Sequence, residues 1–257
     1  MITMRLDTWL VEHNIVSSRS QAESYIRMGR VLVNGAPAHK AGAPVRATDT
    51  VSLAVDEQYV SRAGHKLASV AAMLHIPFAD AVVLDVGSST GGFTDYALKR
   101  GARKVIAVDV GTDQLHSSLH GNSRIELHEK TDIRHIFLAA EPHTQDGIAV
   151  GRVYITDQPD VVVIDVSFIS LRDILPHVAT LCGPRTTIIA MVKPQFEAEH
   201  SGLKHKGVIK NDRMRRDILK DFEDWSRKLF VIHSKADSEV AGSKGNVERF
   251  YALRLLA

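Results

Sequence analysis

Five short runs rich in Val and Ile, "AVVLDVG", "KVIAVDV", "RIELHE", "DVVVIDVSF" and "TTIIAMVKP", recur between residues 81 and 194, with helix-compatible stretches between them. Most are apolar almost without a break, and a strand with no polar face must be covered on both sides. Strands of that kind separated by helices build a mostly parallel sheet. Helices are predicted over 92–100, 170–181 and 211–229. Two further runs, "LFVIHSKADSEV" and "RFYALRLL", come close together near the end and predict an antiparallel pair at the sheet edge. Residues 58–257 therefore read as one α/β domain built on a doubly wound sheet.

Residues 1–57 follow another pattern. Leu6, Trp9 and Leu10 recur at spacings of three and four, as on one helix face. Ser18 has the chemistry of an N-cap, with Gln21 in the capping-box place, and the helix it opens runs through Tyr25 and Ile26 to stop near Gly29. "RVLVNG" is a strand entering an Asn34–Gly35 turn, Pro37 is expected to keep the next segment irregular, and "TVSLAV" is a second strand. The region is a small α+β unit. Arg19, Arg27 and Arg30 lie on or just after its second helix, but six Lys/Arg against six Asp/Glu leave no uniform basic field.

Composition narrows the function classes. A net charge of +2 makes any basic surface local. The single cysteine, Cys182, excludes a disulfide framework and suits a reducing, cytoplasmic setting; its apolar neighbours suggest a buried structural role. The N-terminus lacks the apolar core of a signal peptide, and no run of membrane-spanning length occurs, so no membrane partner is expected. His116 and His120 are four apart, but no third ligand follows at a familiar spacing, so no metal is expected.

The stretch "LDVGSSTGGFTDYAL" joins the first strand of the sheet to a helix. Gly87, Gly91 and Gly92 permit a tight turn and close approach of a ligand; Ser88 and Phe93 belong to the same loop. The spacing is neither that of a dinucleotide loop nor of a phosphate-binding loop, and Asp85 at its entrance repels phosphate. A cationic, hydroxyl-rich ligand without phosphate, such as S-adenosylmethionine, fits. Asp109 ends the second strand, where a carboxylate can hold ribose hydroxyls, and Asp132 follows the third, within reach of an adenine amino group. Taken alone, Lys193 at the end of "TTIIAMVK" is equally a polar chain exit.

Two resemblances sharpen the reading. "RLDTWLVEHNIVSSRSQAESYIRMGRVLVNG" resembles the alpha-L RNA-binding domain named after a small-subunit ribosomal protein. "YVSRAGHKL", "DVGSSTGGFTD", "AVDVGTDQL", "DVSFISLRDILP", "VKPQFE" and "GNVERF" together resemble the TlyA-type family, ribosomal RNA 2′-O-methyltransferases often labelled haemolysins and related to FtsJ-type enzymes. That resemblance implies a Rossmann-like class I methyltransferase domain with S-adenosylmethionine as cofactor, and ribosomal RNA or ribosomal subunits as partner, with a cytidine ribose as target. It places a catalytic tetrad on Lys66, Asp165, Lys193 and Glu248. The chain departs from the usual "SRGGLKL" at Ala63 and His65, and Ala63 would alter the loop if a positive φ were needed there. Residues 199–220 carry seven Lys/Arg against three Asp/Glu, and Lys204 and Lys206 beside Gly202 and Gly207 make this a candidate RNA-contacting loop. The rival readings are a catalytically silent RNA-binding assembly factor and a membrane-lysing protein.

Overall fold

The computed structural model describes residues 3–16, 18–54, 58–139, 151–202, 207–209, 211–240 and 245–256. Its first part contains β1 (Thr3–Arg5), α1 (Leu6–Glu12), α2 (Arg19–Arg27), β2 (Val31–Val33), β3 (Ala36–Pro37), β4 (Pro44–Arg46) and β5 (Val51–Leu53). Leu6, Leu10, Tyr25, Ile26 and Val31 bury against one another as its core, with Trp9 half-buried at the margin. The Ser18 hydroxyl accepts from the Gln21 N–H at 3.2 Å, as expected of an N-cap. The Gln21 side-chain amide donates to the Tyr59 carbonyl at 3.1 Å, in the second part of the chain. Leu32 pairs with Pro37, and Val33 with Ala36, across the turn in which Asn34 and Gly35 take φ of 51° and 80°; the strand ends at Pro37, and residues 38–43 after it are irregular, as expected. A proline is tolerated there because β3 is the edge of a three-stranded sheet.

The second part contains α3 (Arg62–Leu74), β6 (Val82–Val86), α4 (Gly92–Lys99), β7 (Lys104–Val108), β8 (Ile125–His128), β9 (Ile136–Leu138), β10 (Val153–Ile155), β11 (Val161–Ile164), α5 (Leu175–Thr180), β12 (Thr187–Val192), α6 (Pro194–Glu197), α7 (Asp212–Ser226), β13 (Phe230–Asp237) and β14 (Arg249–Leu255). Seven strands form one sheet in the order β13-β14-β12-β11-β6-β7-β8. The five from β12 to β8 run parallel, and β14 and β13 complete the edge antiparallel. Alternate residues of β6 serve opposite faces. Val82, Leu84 and Val86 join the core beneath α5 and α7, whereas Val83 joins that beneath α3 and α4. Chain order reverses between β6 and β11, where ligands bind in open α/β sheets.

Helices α3 and α4 pack with almost no side chain between them. A Cβ on Gly92 would lie 2.2 Å from Ser61 Oγ and 2.8 Å from Ala63 Cβ; one on Gly64 would lie 2.9 Å from the Gly92 carbonyl oxygen. Ala63 sits inside the first turn of α3, not in a loop, and takes no positive φ. Cys182 is half-buried beside the core, its thiol bonded to the Val178 carbonyl at 3.2 Å and pushed up to about 12 by burial.

Candidate active site

The carboxyl ends of β6, β7, β8 and β11 enclose a cavity of about 430 Å³. Among the described residues its lining includes three carboxylates, Asp109, Asp132 and Asp165, and no Lys, Arg or His. Asp109 ties two loops together, accepting from the Ser89 N–H at 2.8 Å and the Gly111 N–H at 2.7 Å. Asp132 accepts a two-pronged contact from Arg134, at 2.9 and 2.6 Å, which holds its carboxyl down to about 2. Gly87, at φ 81°, makes the turn between β6 and the cavity; a Cβ there would meet the Asp165 carbonyl oxygen at 2.7 Å.

The other residues expected at the cofactor lie behind this wall. Asp85 does not stand at an open entrance. It is fully buried, Thr94 Oγ1 donates to its Oδ2 at 2.6 Å, and Oδ1 has no partner among the described residues. Burial pushes its carboxyl up to about 7. Ser88 is buried, and Phe93 belongs to the core beneath α3 and α4. Gly91 and Gly92 serve packing: a Cβ on Gly91 would strike Leu119 and Leu115 at 2.5 and 2.7 Å. Sequence reasoning missed Val110, Gln114, Ile133, Phe168 and Ile169, all of which line the cavity. Phe168 stands out, 92% exposed with φ 66° and its ring 5.4 Å from that of Phe196. A bulky residue with positive φ is strained. The exposed aromatic within "DVSFIS", just past a buried strand, was the available signal.

The four charged residues of the tetrad form two ion pairs. Lys66, on α3, lies 3.0 Å from Glu248, just before β14, and both are buried. Lys193, which closes β12, lies 2.6 Å from Asp165 and donates to Ser167 Oγ at 2.7 Å. Pro194 follows at the first position of α6, ending the strand so that Lys193 is held at its mouth. Glu197 braces the region from behind: buried, it accepts from Ser170 Oγ at 2.7 Å and from the Leu171 N–H at 2.8 Å. It thus links the segment after Asp165 to the segment after Lys193.

Asp165 also lines a second cavity of about 430 Å³, between α2 and the start of α3, together with Lys66, Arg62 and Arg27. One carboxylate, Asp165, borders both spaces, and Lys193 is paired with it. Arg19 is anchored at 2.8 Å to the buried Asp7, which Arg5 also contacts. Arg27 lies 3.5 Å from Glu23, and the Arg30 side chain has no ion pair among the described residues. Lys204 and Lys206 fall outside the described residues. His116 caps a short 3₁₀ turn, and the His120 ring bonds the Leu115 carbonyl.

Residues 59–255 match the model of FtsJ-like methyltransferases. The chain belongs to that family. Residues 4–51 match the S4 domain. The methyltransferase is 35% identical over 254 residues to the 16S/23S rRNA (cytidine-2′-O)-methyltransferase TlyA of Mycobacterium tuberculosis, covering 97% of this chain and 89% of the relative. It is 33% identical to Hemolysin A of Brachyspira hyodysenteriae, covering 95% and 97%. A solved structure from Streptococcus thermophilus, described as a candidate hemolysin, superposes with a TM-score of 0.68 at 31% identity, covering 99% of this chain and 89% of that one. Among the described residues, no helix of the methyltransferase is long and apolar enough to cross a membrane.

Proposed function

We propose that this methyltransferase moves the methyl group of S-adenosylmethionine to a ribose 2′-hydroxyl of ribosomal RNA, on a cytidine. The observation that carries the reading is the shared wall: Asp165, paired with Lys193, borders both the cavity between the strand ends and the cleft between the domains. The residues present fit the cofactor. Three carboxylates in the described lining suit a sulfonium ligand that bears an amino group and no phosphate. Asp109 would take the ribose hydroxyls and Asp132 the adenine amino group, with Val110, Ile133 and Ile169 against the base. Bound there, S-adenosylmethionine supplies an electrophilic methyl group. The relatives' names supply the choice of ribosomal RNA and cytidine.

The chain's own residues have a limited task, because a ribose hydroxyl is a poor nucleophile facing a strong electrophile. Alignment and stabilisation of charge developing on the oxygen dominate. The Lys193 ammonium supplies the opposing positive charge, and Asp165 and Ser167 fix its direction. Lys66, fixed by Glu248, steadies the ribose or its phosphate. With the methyl group transferred from the bound sulfonium, the hydroxyl proton would leave to water. The test is incubation of pure protein with ribosomal RNA and S-adenosylmethionine, then mass spectrometry of the nucleosides. A 2′-O-methylated cytidine is expected. Methylation confined to a base, or none at all, overturns the proposal.

A further inference from the structure

Arg62 has no paired counter-charge among the described residues. It occupies the first position of α3, at the positive end of the helix dipole. It is half-buried, and among the described residues its guanidinium makes no ion pair and no hydrogen bond. Burial, then repulsion from Arg27 on α2, lower its affinity for its proton; Glu248 opposes this weakly, being already paired with Lys66. Arg27 has only a long contact to Glu23. Between the two guanidinium groups lies the cleft that also holds Lys66 and Asp165. Its wall carries the Ser24 hydroxyl, buried and without a partner among the described residues.

A bound anion would relieve the burial, the dipole and the like-charge repulsion together. A guanidinium is matched in shape to two phosphate oxygens, and the low dielectric of a cleft strengthens the contact. We propose that Arg62, with Arg27 opposite, clamps one backbone phosphate of the RNA substrate, in the same cleft as the charged groups that act on the ribose. The clamp rests on the RNA-methyltransferase reading above. It needs a side chain from each domain, so the phosphate site forms only when the two are docked.

The experiment measures binding of a ribosomal RNA fragment across a salt series for wild type, Arg62→Gln, Arg27→Gln and the double variant. Melting temperature and S-adenosylmethionine affinity are measured alongside. Arg62→Gln should weaken RNA binding about tenfold or more near 0.1 M salt and flatten the log–log salt slope by about 0.7–0.9, the signature of one lost phosphate contact. Its melting temperature should stay level or rise, because an uncompensated charge has gone, and cofactor affinity should hold. The double variant should lose less than the product of the two singles, since both side chains serve one phosphate. An unchanged slope in a variant of a wild type that binds and methylates ribosomal RNA overturns the clamp and leaves the broader reading standing. A lower melting temperature with matching loss of cofactor binding also overturns it, by showing a structural role. A wild type that neither binds nor methylates ribosomal RNA defeats the broader reading, and the clamp with it.

Discussion

Asp85 and Asp165 belong to neighbouring parallel strands, the one inside β6 and the other just beyond β11, and only Asp165 reaches a cavity. Burial in the core raises the Asp85 carboxyl to about 7 from an ordinary value near 4, and one of its oxygens has no partner among the described residues. A raised carboxyl favours the folded state fully below the unfolded value, and that contribution is lost as pH rises through about 7. Asp85→Asn removes the titration. In urea unfolding, the stability of the variant relative to wild type should climb between pH 4 and pH 7 by on the order of 2–4 kcal/mol, then level off. A difference independent of pH would show Asp85 ionising freely in the fold. Asp109 differs again, because its oxygens hold two loops as well as facing the cavity. Asp109→Ala should weaken S-adenosylmethionine binding by about 1.5–3 kcal/mol, the worth of hydrogen bonds to a charged group. Unchanged affinity by calorimetry would remove Asp109 from the site.

At the scale of elements, the buried strands were legible because a strand covered on both faces has no choice but continuous Val and Ile. The glycine loop was legible as a loop but not in its purpose. Glycine lets backbone approach a ligand or another helix equally well, and composition cannot say which. Gly87 serves the turn at the cavity, whereas Gly92 serves the contact of α4 with α3. Gly92→Ala should therefore lower stability by about 1–3 kcal/mol through overpacking, a fall in melting temperature of roughly 2–10 °C. A melting temperature equal to wild type would mean that the helices part freely, and that the close contact is not needed. Phe168 shows the opposite failure. Its positive φ and its exposure depend on the path of the loop between β11 and the 3₁₀ turn at Leu171–Asp173, which no local propensity encodes.

The whole molecule is two parts joined by specific contacts: Gln21 to the Tyr59 carbonyl, and the Tyr25 hydroxyl to the His65 ring at 3.0 Å. Each part was readable separately from its own periodicity. The cleft between them was not, because it exists only once α2 docks beside α3 and brings distant residues to one wall. Removing residues 1–57 should leave the methyltransferase domain folded and able to bind cofactor, but should abolish most binding to structured RNA. Full-rate methylation by the truncated protein would mean that the first part is not the RNA grip. The central claim is that the Lys193–Asp165 pair acts where the two cavities meet. Single-turnover methyl transfer to ribosomal RNA by Lys193→Ala, with both binding affinities measured in parallel, tests it most directly. The rate should fall by about 10²–10³, as for loss of one charge-stabilising donor, with both affinities within threefold of wild type. A rate within threefold of wild type, or a loss that merely follows cofactor affinity, would contradict the account.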